Sequence, residues 1–324
     1  MDARSELILR CARRRDAELG FLSKEAYDVL LEEVVADVEK FVKTPRERAM
    51  LVLAQGLERW GRGSEDDEFL DDDQFLRVRQ ERFDRLREVA GRSLTEDETY
   101  LDAALIHAVV TYEDPEALFQ SLLDVVGQGR GQHGDADAPA GSDAWDDLEL
   151  RPLIRAEDAL ARACADTTRY RMAQSVCEDI LAVSPGDAIG TRHTLALVLA
   201  RLEDEQGFDE LDARFGRVGS AWTHLAHMIL LYKLGRMGAA RRALRTFYRL
   251  NEGGAYALLR PTFVDTYMPD RPEAAPGSFE EARLAVHEAD PIICDTPDLP
   301  RWAQSFDDVA SAAQDFAGRM GYDW

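Results

Sequence analysis

The chain has 324 residues, of which 62 are acidic and 39 are basic, so its formal net charge at pH 7 is −23. This charge disfavours nonspecific binding to nucleic acid phosphates or to anionic membranes, because both attract basic surfaces. A hydrophobic fraction of 45% is ample for a buried core, and the length allows either two or three domains or one long helical array.

The N-terminal stretch contains only Leu7–Leu9 as an apolar run, which is too short for a secretory signal. The longest uncharged stretch is Val218–Tyr232, with 15 residues, whereas a membrane-spanning helix needs about 20. The four cysteines are scattered and form no CxxC pair, so no zinc or redox motif is indicated. We therefore expect a soluble, cytoplasmic protein with reduced thiols and without a cofactor or metal.

Apolar residues recur at a spacing of three to four over most of the first half, a pattern typical of amphipathic helices. Sustained alternation of apolar and polar residues is almost absent, so the predicted fold class is all-α. The clearest of these predicted helices cover Tyr27–Val42, Ala49–Trp60 and Leu101–Tyr112.

Several helix starts are also indicated. Thr44–Glu47 and Thr95–Glu98 fit capping boxes, in which a threonine hydroxyl and a glutamate three residues later satisfy free backbone amides. Asp114 followed by Pro115 fits an N-cap with proline at the first helical position.

Two segments interrupt the helical pattern. Gly61–Asp73 carries seven acids but lacks the ligand spacing and central glycine of a calcium loop, so it is expected to be solvated or to contact a basic partner. Gly127–Asp147 is rich in Gly, Ala and Asp and is predicted to be a linker between an N-terminal helical domain (1–126) and a second domain (148–324). Gly129–Gly134 spells G-x-G-x-x-G, but no strand precedes it, so a dinucleotide site is not expected.

The stretch His224–Asn251 resembles a tetratricopeptide repeat, a pair of antiparallel helices about 34 residues long. The resemblance depends on Leu231–Gly235 at the turn between the helices, on Ala240 where the second helix crosses the first, and on Asn251 at the end of the unit. The same outline recurs twice upstream, with Gly207-Phe208 placed near the turn of the middle unit. The unit ends fall near Val183, Val218 and Leu250, which are 35 and 32 residues apart.

The second half also resembles the bacterial tetratricopeptide-type family related to the suppressor of tumorigenicity proteins, some of which carry a SEC-C zinc motif. The resemblance rests on Leu148–Ala163, Ser184–Leu199, the sequence GAYALL after Asn251, and Pro276–Ala282. It implies a helical-repeat α-solenoid with a binding or scaffold role and no reaction. The chain lacks the SEC-C cysteine cluster, so the resemblance does not carry zinc over to it.

His224 and His227 are one helical turn apart and could share a metal, but zinc needs at least one more ligand. Packing of both rings in the helix pair is the alternative interpretation, and the sequence favours it. The strip Arg241, Arg245 and Arg249 lies on one helix face, where it is either a solvated surface or a contact for an acidic peptide or for the protein's own acidic segments.

In tetratricopeptide arrays the first helix of each pair lines a concave groove. The resemblance places six residues near that surface, and arginines and aromatic residues are the types that dominate binding energy at interfaces. Ordinary packing is the alternative for the aromatic and aliphatic members. The expected groove residues are Arg155, Arg162, His193, Trp222, Ile229 and Tyr232.

The sequence thus favours a non-enzymatic scaffold that binds a protein or peptide partner in a helical-repeat groove. The alternative is a metal-dependent enzyme or regulator centred on His224 and His227. Self-assembly into a homo-oligomer is a further hypothesis, and neither nucleic acid nor membrane is expected as a partner.

Overall fold

The structure, a computed structural model, describes residues 2–62, 70–133, 142–267 and 269–324. Within these ranges the chain forms seventeen α-helices, two short 3-10 helices and no β-strand. The prediction of an all-α fold is therefore confirmed. None of the helices in these ranges has both the length and the apolar character that crossing a membrane requires.

The chain divides into two compact units. Unit 1 comprises Met1–Ala159 with Met268–Asp270, and unit 2 comprises Leu160–Tyr267 with Arg271–Trp324. The helices of the first half are α1 Ala3–Glu18, α2 Lys24–Ala36, α3 Pro45–Arg62, α4 Asp72–Glu96, α5 Leu101–Thr111, α6 Pro115–His133 and α7 Arg151–Asp166, with 3-10 helices at Val38–Phe41 and Ala144–Asp146.

Ten helices follow in the described part of the second half. They are α8 Tyr170–Val183, α9 Thr191–Arg201, α10 Glu205–Arg214, α11 Ala221–Lys233, α12 Met237–Leu250, α13 Gly254–Leu259, α14 Phe279–Glu288, α15 Asp290–Cys294, α16 Asp298–Gln304 and α17 Asp307–Met320.

Two of the predicted helix starts are confirmed by their hydrogen bonds. The amide of Glu47 donates to the Thr44 hydroxyl at 3.1 Å, and the Glu47 carboxylate accepts from the Thr44 amide at 2.9 Å. Asp114 caps α6 by accepting from the amide of Ala117 at 2.9 Å. Each side chain satisfies an amide that has no partner within its helix.

Two local predictions were wrong. Thr95 lies in the last turn of α4, where its hydroxyl donates to the Gly91 carbonyl at 3.0 Å; the next helix begins only at Leu101. The helix from Tyr27 ends at Ala36, because Asp37 leaves helical geometry with φ −155°. Gly207 and Phe208 lie in the first turn of α10, close to the connection that follows α9, as the sequence placed them.

The two predicted interruptions are only partly described. Gly127–His133 belongs to α6, so the predicted linker does not begin at Gly127; residues 134–141 lie outside the described residues. The acids Glu65–Glu68 also lie outside the described residues, and Asp71 caps α4 by accepting from the Gln74 amide at 2.8 Å. A domain boundary within 127–147 stays a prediction.

The core of unit 1 forms between α1, α3, α4 and α5. Helix α1 packs against α2 and α3, α3 packs against α4, and α4 packs against α5. Fully buried apolar side chains such as Leu7, Leu53 and Ile106 lie in this core. Burying each such side chain contributes about 1.5–3 kcal/mol, so this half of the chain has a core of its own.

In unit 2, three helix-to-helix turns share one geometry. Thr168, Glu203 and Gly235 have φ of 63°, 61° and 69° at the ends of α7, α9 and α11, and they are 35 and 32 residues apart. The amide that follows each of them donates to the carbonyl five residues earlier, at 2.7, 3.0 and 3.0 Å. Such 6→1 bonds are typical of a helix that ends in the left-handed region.

Helices α9 and α11 are the central elements of unit 2. Helix α9 packs against α8 and α11, and α11 packs in addition against α12 and α14. Ala240 on α12 is fully buried, as its expected place at a helix crossing requires. These contacts bring α9, α11 and α14 together around the candidate site.

Candidate functional site

The six expected groove residues do not share one surface, and Arg155 is the clearest departure. It belongs to unit 1, and its side chain is only 1% exposed. Its guanidinium donates twice to Asp102, at 2.8 and 2.7 Å, and twice to Glu6, at 2.9 Å each. These four hydrogen bonds hold the guanidinium inside the core, so the placement of Arg155 in a groove is corrected to a buried structural ion network.

The remaining expected residues lie in unit 2. Ile229 is fully buried and belongs to the core, which is the packing role that the sequence left open. Tyr232 contacts Trp302, with ring centroids 4.9 Å apart. Trp222 is 4% exposed, and its ring stacks on His193 with centroids 4.3 Å apart. Trp222 and Ile229 are therefore not exposed contact residues.

Trp222 also contacts the buried carboxylate of Glu288, the last residue of α14. Glu288 Oε2 accepts from the Trp222 indole at 2.8 Å, and Oε1 accepts from the Tyr267 hydroxyl at 2.5 Å. Arg271 Nε donates to both oxygens, at 2.8 and 3.1 Å. The Glu288 and Arg271 side chains are each only 7% exposed, so this is a desolvated ion pair whose polar groups are hydrogen-bonded, as such a pair requires.

Arg271 also fixes the chain that precedes α9. Its guanidinium donates to the carbonyls of Ile189 and Gly190, at 3.0 and 2.9 Å, and to the Thr194 hydroxyl at 2.6 Å. Gly190 has φ 76°, and a Cβ there would lie 2.8 Å from the His193 ring. A glycine is required at this position by both its backbone conformation and the close approach of the imidazole.

The charges of the cluster are set by these contacts. Burial alone would raise the pKa of Glu288. The positive charges of Arg271 and Arg162, together with the hydrogen bonds from Tyr267 and Arg271, lower it instead to about 2. Burial lowers the pKa of His193 to about 3, and the charge of Arg271 adds to the effect. At neutral pH the cluster therefore contains an ionised Glu288 and a neutral His193.

A cavity of about 270 Å³ opens beside Glu288 within unit 2. Its apolar wall is formed by Ala165 of α7, Leu197 and Val198 of α9, and Ile292 of α15. Arg162 lies on its polar side, with the guanidinium carbon 5.4 Å from the Tyr267 ring centroid. Arg162 is thus the one expected groove residue that both lines this cavity and is partly exposed.

The opening of the cavity is mainly acidic. Asp166, His287 and Asp290 line it with exposed side chains. The pKa of Asp166 is raised, because the walls of the cavity displace part of the water around its carboxylate and because Glu288 and Asp290 are also negative; the positive charge of Arg162 opposes this rise. A cation placed at this opening would relieve that repulsion.

The expected arginine strip on α12 is partly occupied by the protein itself. Arg245 Nε donates to Asp308 of α17 at 2.6 Å, and the Tyr248 hydroxyl contacts the same carboxylate at 3.2 Å. The Arg241 guanidinium carbon lies 4.3 Å from the centroid of the Phe306 ring. Arg245 is therefore held by an acid of α17 that belongs to neither of the acidic segments, while Arg249 is exposed. Contact of the strip with an acidic peptide or with those segments stays a prediction.

The histidine pair of α11 makes separate packing contacts. His224 Nδ1 lies 3.2 Å from the amide nitrogen of the buried Asn251, and a Cβ on Gly219 would lie 2.2 Å from its Nε2. His227 stacks on Phe208, with ring centroids 5.6 Å apart. Across the described part of the chain, no group of three or more His, Cys, Asp or Glu side chains is placed to hold a metal ion.

Sequence reasoning missed the three residues that organise the site, namely Glu288, Arg271 and Tyr267. The weak signal was a glutamate at the end of the apolar stretch of α14, followed by Ala289 and Asp290-Pro291. Arg271 lies in a segment without helical periodicity, so no spacing rule connects it with Glu288. Only their convergence in unit 2 shows that they act together.

Comparison of the chain with protein-family models, with curated proteins and with solved structures found no match.

Proposed function

We propose that this protein is a non-catalytic binding module whose cavity beside Glu288 takes one anchor side chain of a partner peptide or protein. The observation that carries the proposal is the preformed wall of the cavity. Glu288 and Tyr267 line the cavity, and Glu288 is held by hydrogen bonds from Tyr267, Trp222 and Arg271. These side chains are therefore already ordered before a ligand binds. Such preorganisation raises affinity by lowering the entropy lost on binding.

A tetratricopeptide-like repeat arrangement of the second half is part of this proposal. It is supported by the three turns at Thr168, Glu203 and Gly235, which share left-handed geometry and the spacing predicted for the unit ends. Free thiols at the buried Cys11, Cys164 and Cys177 suit a reducing cytoplasmic setting.

The charges at the cavity indicate the anchor's chemistry. Arg155 and Arg162 together at one groove would suit a partner with a carboxylate, but Arg155 is bound by Glu6 and Asp102 in the interior. The exposed groups at the opening include Asp166 and Asp290. We therefore propose an anchor with an apolar stem and a basic head, which is the combination that arginine and lysine side chains provide.

The proposal is tested by selecting ligands from a random peptide library displayed on phage, with the full-length protein as bait. Enriched peptides are expected to share an arginine or lysine, and their affinity is measured by fluorescence polarisation. Ala165→Phe fills the cavity from its apolar wall and should weaken binding at least tenfold. Ala182→Phe on α8, at an exposed position, is the matched control and should leave the affinity unchanged.

Circular dichroism of both variants shows whether the fold is kept. If no peptide is enriched, or if the enriched peptides bind the two variants equally, the cavity is not a peptide anchor site. Enrichment of acidic peptides that Ala165→Phe weakens would keep the cavity as the site and overturn the basic anchor. Asp166→Asn should reduce the preference for a basic residue without closing the cavity.

A further inference from the structure

A second cavity, of about 250 Å³, lies within unit 1 between α3 and α4. Four arginines line it, Arg59 from α3 and Arg82, Arg85 and Arg92 from α4, and Glu88 is the one acid among the lining residues. The full chain carries a net charge of −23, so a concave surface with an excess of positive charge is a local reversal of the protein's overall field. Concave sites lined by one sign of charge concentrate ligands of the opposite sign.

The packing of the two helices explains why these arginines converge. α3 and α4 cross closely at Gly56, where an added Cβ would lie 2.4 Å from Cγ1 of Val89. Residues three and seven positions apart lie near one another on a helix face, so Arg82, Arg85 and Arg92 project to the same side of the crossing. Arg59 reaches that side from the facing helix.

The arginines differ in how firmly they are held. Arg82 is 7% exposed, and its guanidinium carbon lies 5.8 Å from the Trp60 ring centroid. Trp60 is in turn stacked on Phe83, with centroids 5.2 Å apart. Arg85 pairs with Glu81 at 3.0 Å, and both side chains are exposed. Arg82 therefore gives the cavity a fixed cationic wall, whereas Arg85 is held only by a solvent-exposed contact.

Arg59 and Arg92 are exposed, and neither forms an ion pair with any residue in the described ranges. Other arginines in unit 1 are paired with carboxylates, as Arg46 is with Asp97 at 2.6 Å and Arg48 with Glu96 at 2.7 Å. Acidic residues outnumber basic ones in this chain, so carboxylates are plentiful. Arg59 and Arg92 nevertheless pair with none of those in the described ranges. Both guanidiniums can therefore donate hydrogen bonds to a ligand in the cavity.

We propose that the cavity between α3 and α4 binds a compact phosphate-bearing ligand, with the exposed Arg59 and Arg92 as its main contacts and Arg82 as its buried wall. The guanidinium fork matches phosphate oxygens in geometry and charge. Phosphate places more than one negative charge in a small volume, which suits several guanidiniums around one small cavity. A peptide carboxylate carries a single charge and would leave most of these donors unused.

The proposal is tested by isothermal titration calorimetry of the full chain with inorganic pyrophosphate, and with ADP as the organic source of the same group. Pyrophosphate binding at one equivalent is expected, and it should weaken as salt is added because the attraction is screened. The double variant Arg59→Gln/Arg92→Gln should reduce the affinity at least tenfold. Both residues are exposed and without ion pairs in the described ranges, so the variant is expected to keep its fold.

The matched control is Arg13→Gln/Arg77→Gln, which removes the same charge from two exposed arginines of unit 1 outside the cavity. This control should leave the affinity unchanged. ADP binding that the double variant weakens equally would identify a nucleotide as a source of the phosphate; binding of pyrophosphate but not of ADP would assign the cavity to an inorganic or smaller phosphate ligand. Both outcomes support the phosphate site.

Three outcomes would overturn it. Pyrophosphate does not bind at all, or both double variants weaken its binding to the same extent, or a hexaglutamate peptide binds more tightly than pyrophosphate does. The second result means a response to net charge alone, and the third means a surface for acidic peptides. None of these results affects the cavity beside Glu288, so the two proposals fail separately.

Discussion

Replacing Glu288 by glutamine tests the energetics of the buried cluster in unit 2. Glutamine keeps the size of the side chain and one hydrogen-bond acceptor, but it removes the charge that pairs with Arg271 at 2.8 Å. The pKa of Glu288 is lowered from 4.5 to about 2. A shift of this size corresponds to about 3 kcal/mol of stabilisation at neutral pH, at about 1.4 kcal/mol for each pKa unit.

The sign of the pH dependence follows from the direction of the shift. Because the folded-state pKa is lower than the unfolded one, the contribution of Glu288 is complete above about pH 5 and is lost as the pH falls from 4.5 towards 2. Glu288→Gln should therefore lower the free energy of unfolding by about 3 kcal/mol at pH 7 and by about half as much at pH 3.

The measurement is urea unfolding followed by circular dichroism at both pH values. Glu273→Gln is the matched control, since Glu273 is exposed and the same charge is removed. Equal midpoints for the two variants at pH 7 would refute the ion-pair argument. A loss at pH 3 as large as that at pH 7 would show that shape or hydrogen bonding, rather than the charge of Glu288, accounts for the effect.

Five further substitutions test the packing and the buried ion network, each by the shift of the urea midpoint. Trp222→Ala should cost about 3–5 kcal/mol, because it empties a buried site; a folded variant of unchanged stability would contradict the burial of the indole. Ala240→Leu should cost about 1–3 kcal/mol by overpacking a fully buried position, and an unchanged midpoint would mean that no helix crosses there. Gly56→Ala should destabilise by a similar amount, since its Cβ would lie 2.4 Å from a valine of α4, whereas Gly91→Ala, with open space around it, should stabilise by up to about 1 kcal/mol. Arg155→Met leaves two buried carboxylates without their cation and should cost about 3–5 kcal/mol; a loss under about 1 kcal/mol would show that water reaches them.

Local signals in the sequence determined much of the secondary structure. Apolar residues at three-to-four spacing predicted the helices, and Thr44–Glu47 and Asp114-Pro115 predicted two helix starts that the hydrogen bonds confirm. These features depend on residues within one or two turns of each other, so a single chain segment contains the information. The helix start predicted at Thr95 was wrong because α4 continues through this residue. The Thr95 hydroxyl donates to the carbonyl of Gly91, four residues earlier in the same helix.

The surroundings of the site residues were decided by tertiary structure. The sequence shows that Arg155 is an arginine on a predicted helix, but it does not show that Glu6 and Asp102, far away in the chain, will both bind it. The same is true of Glu288, which meets Trp222 and Arg271 only when α11, α14 and the segment before α14 pack together. Propensity and capping act over a few residues, whereas burial and ion pairing depend on contacts between distant segments. The sequence by itself therefore determined that this protein is all-α, and only the packing of its helices decided which charges were consumed in the interior and which remained at the two cavities.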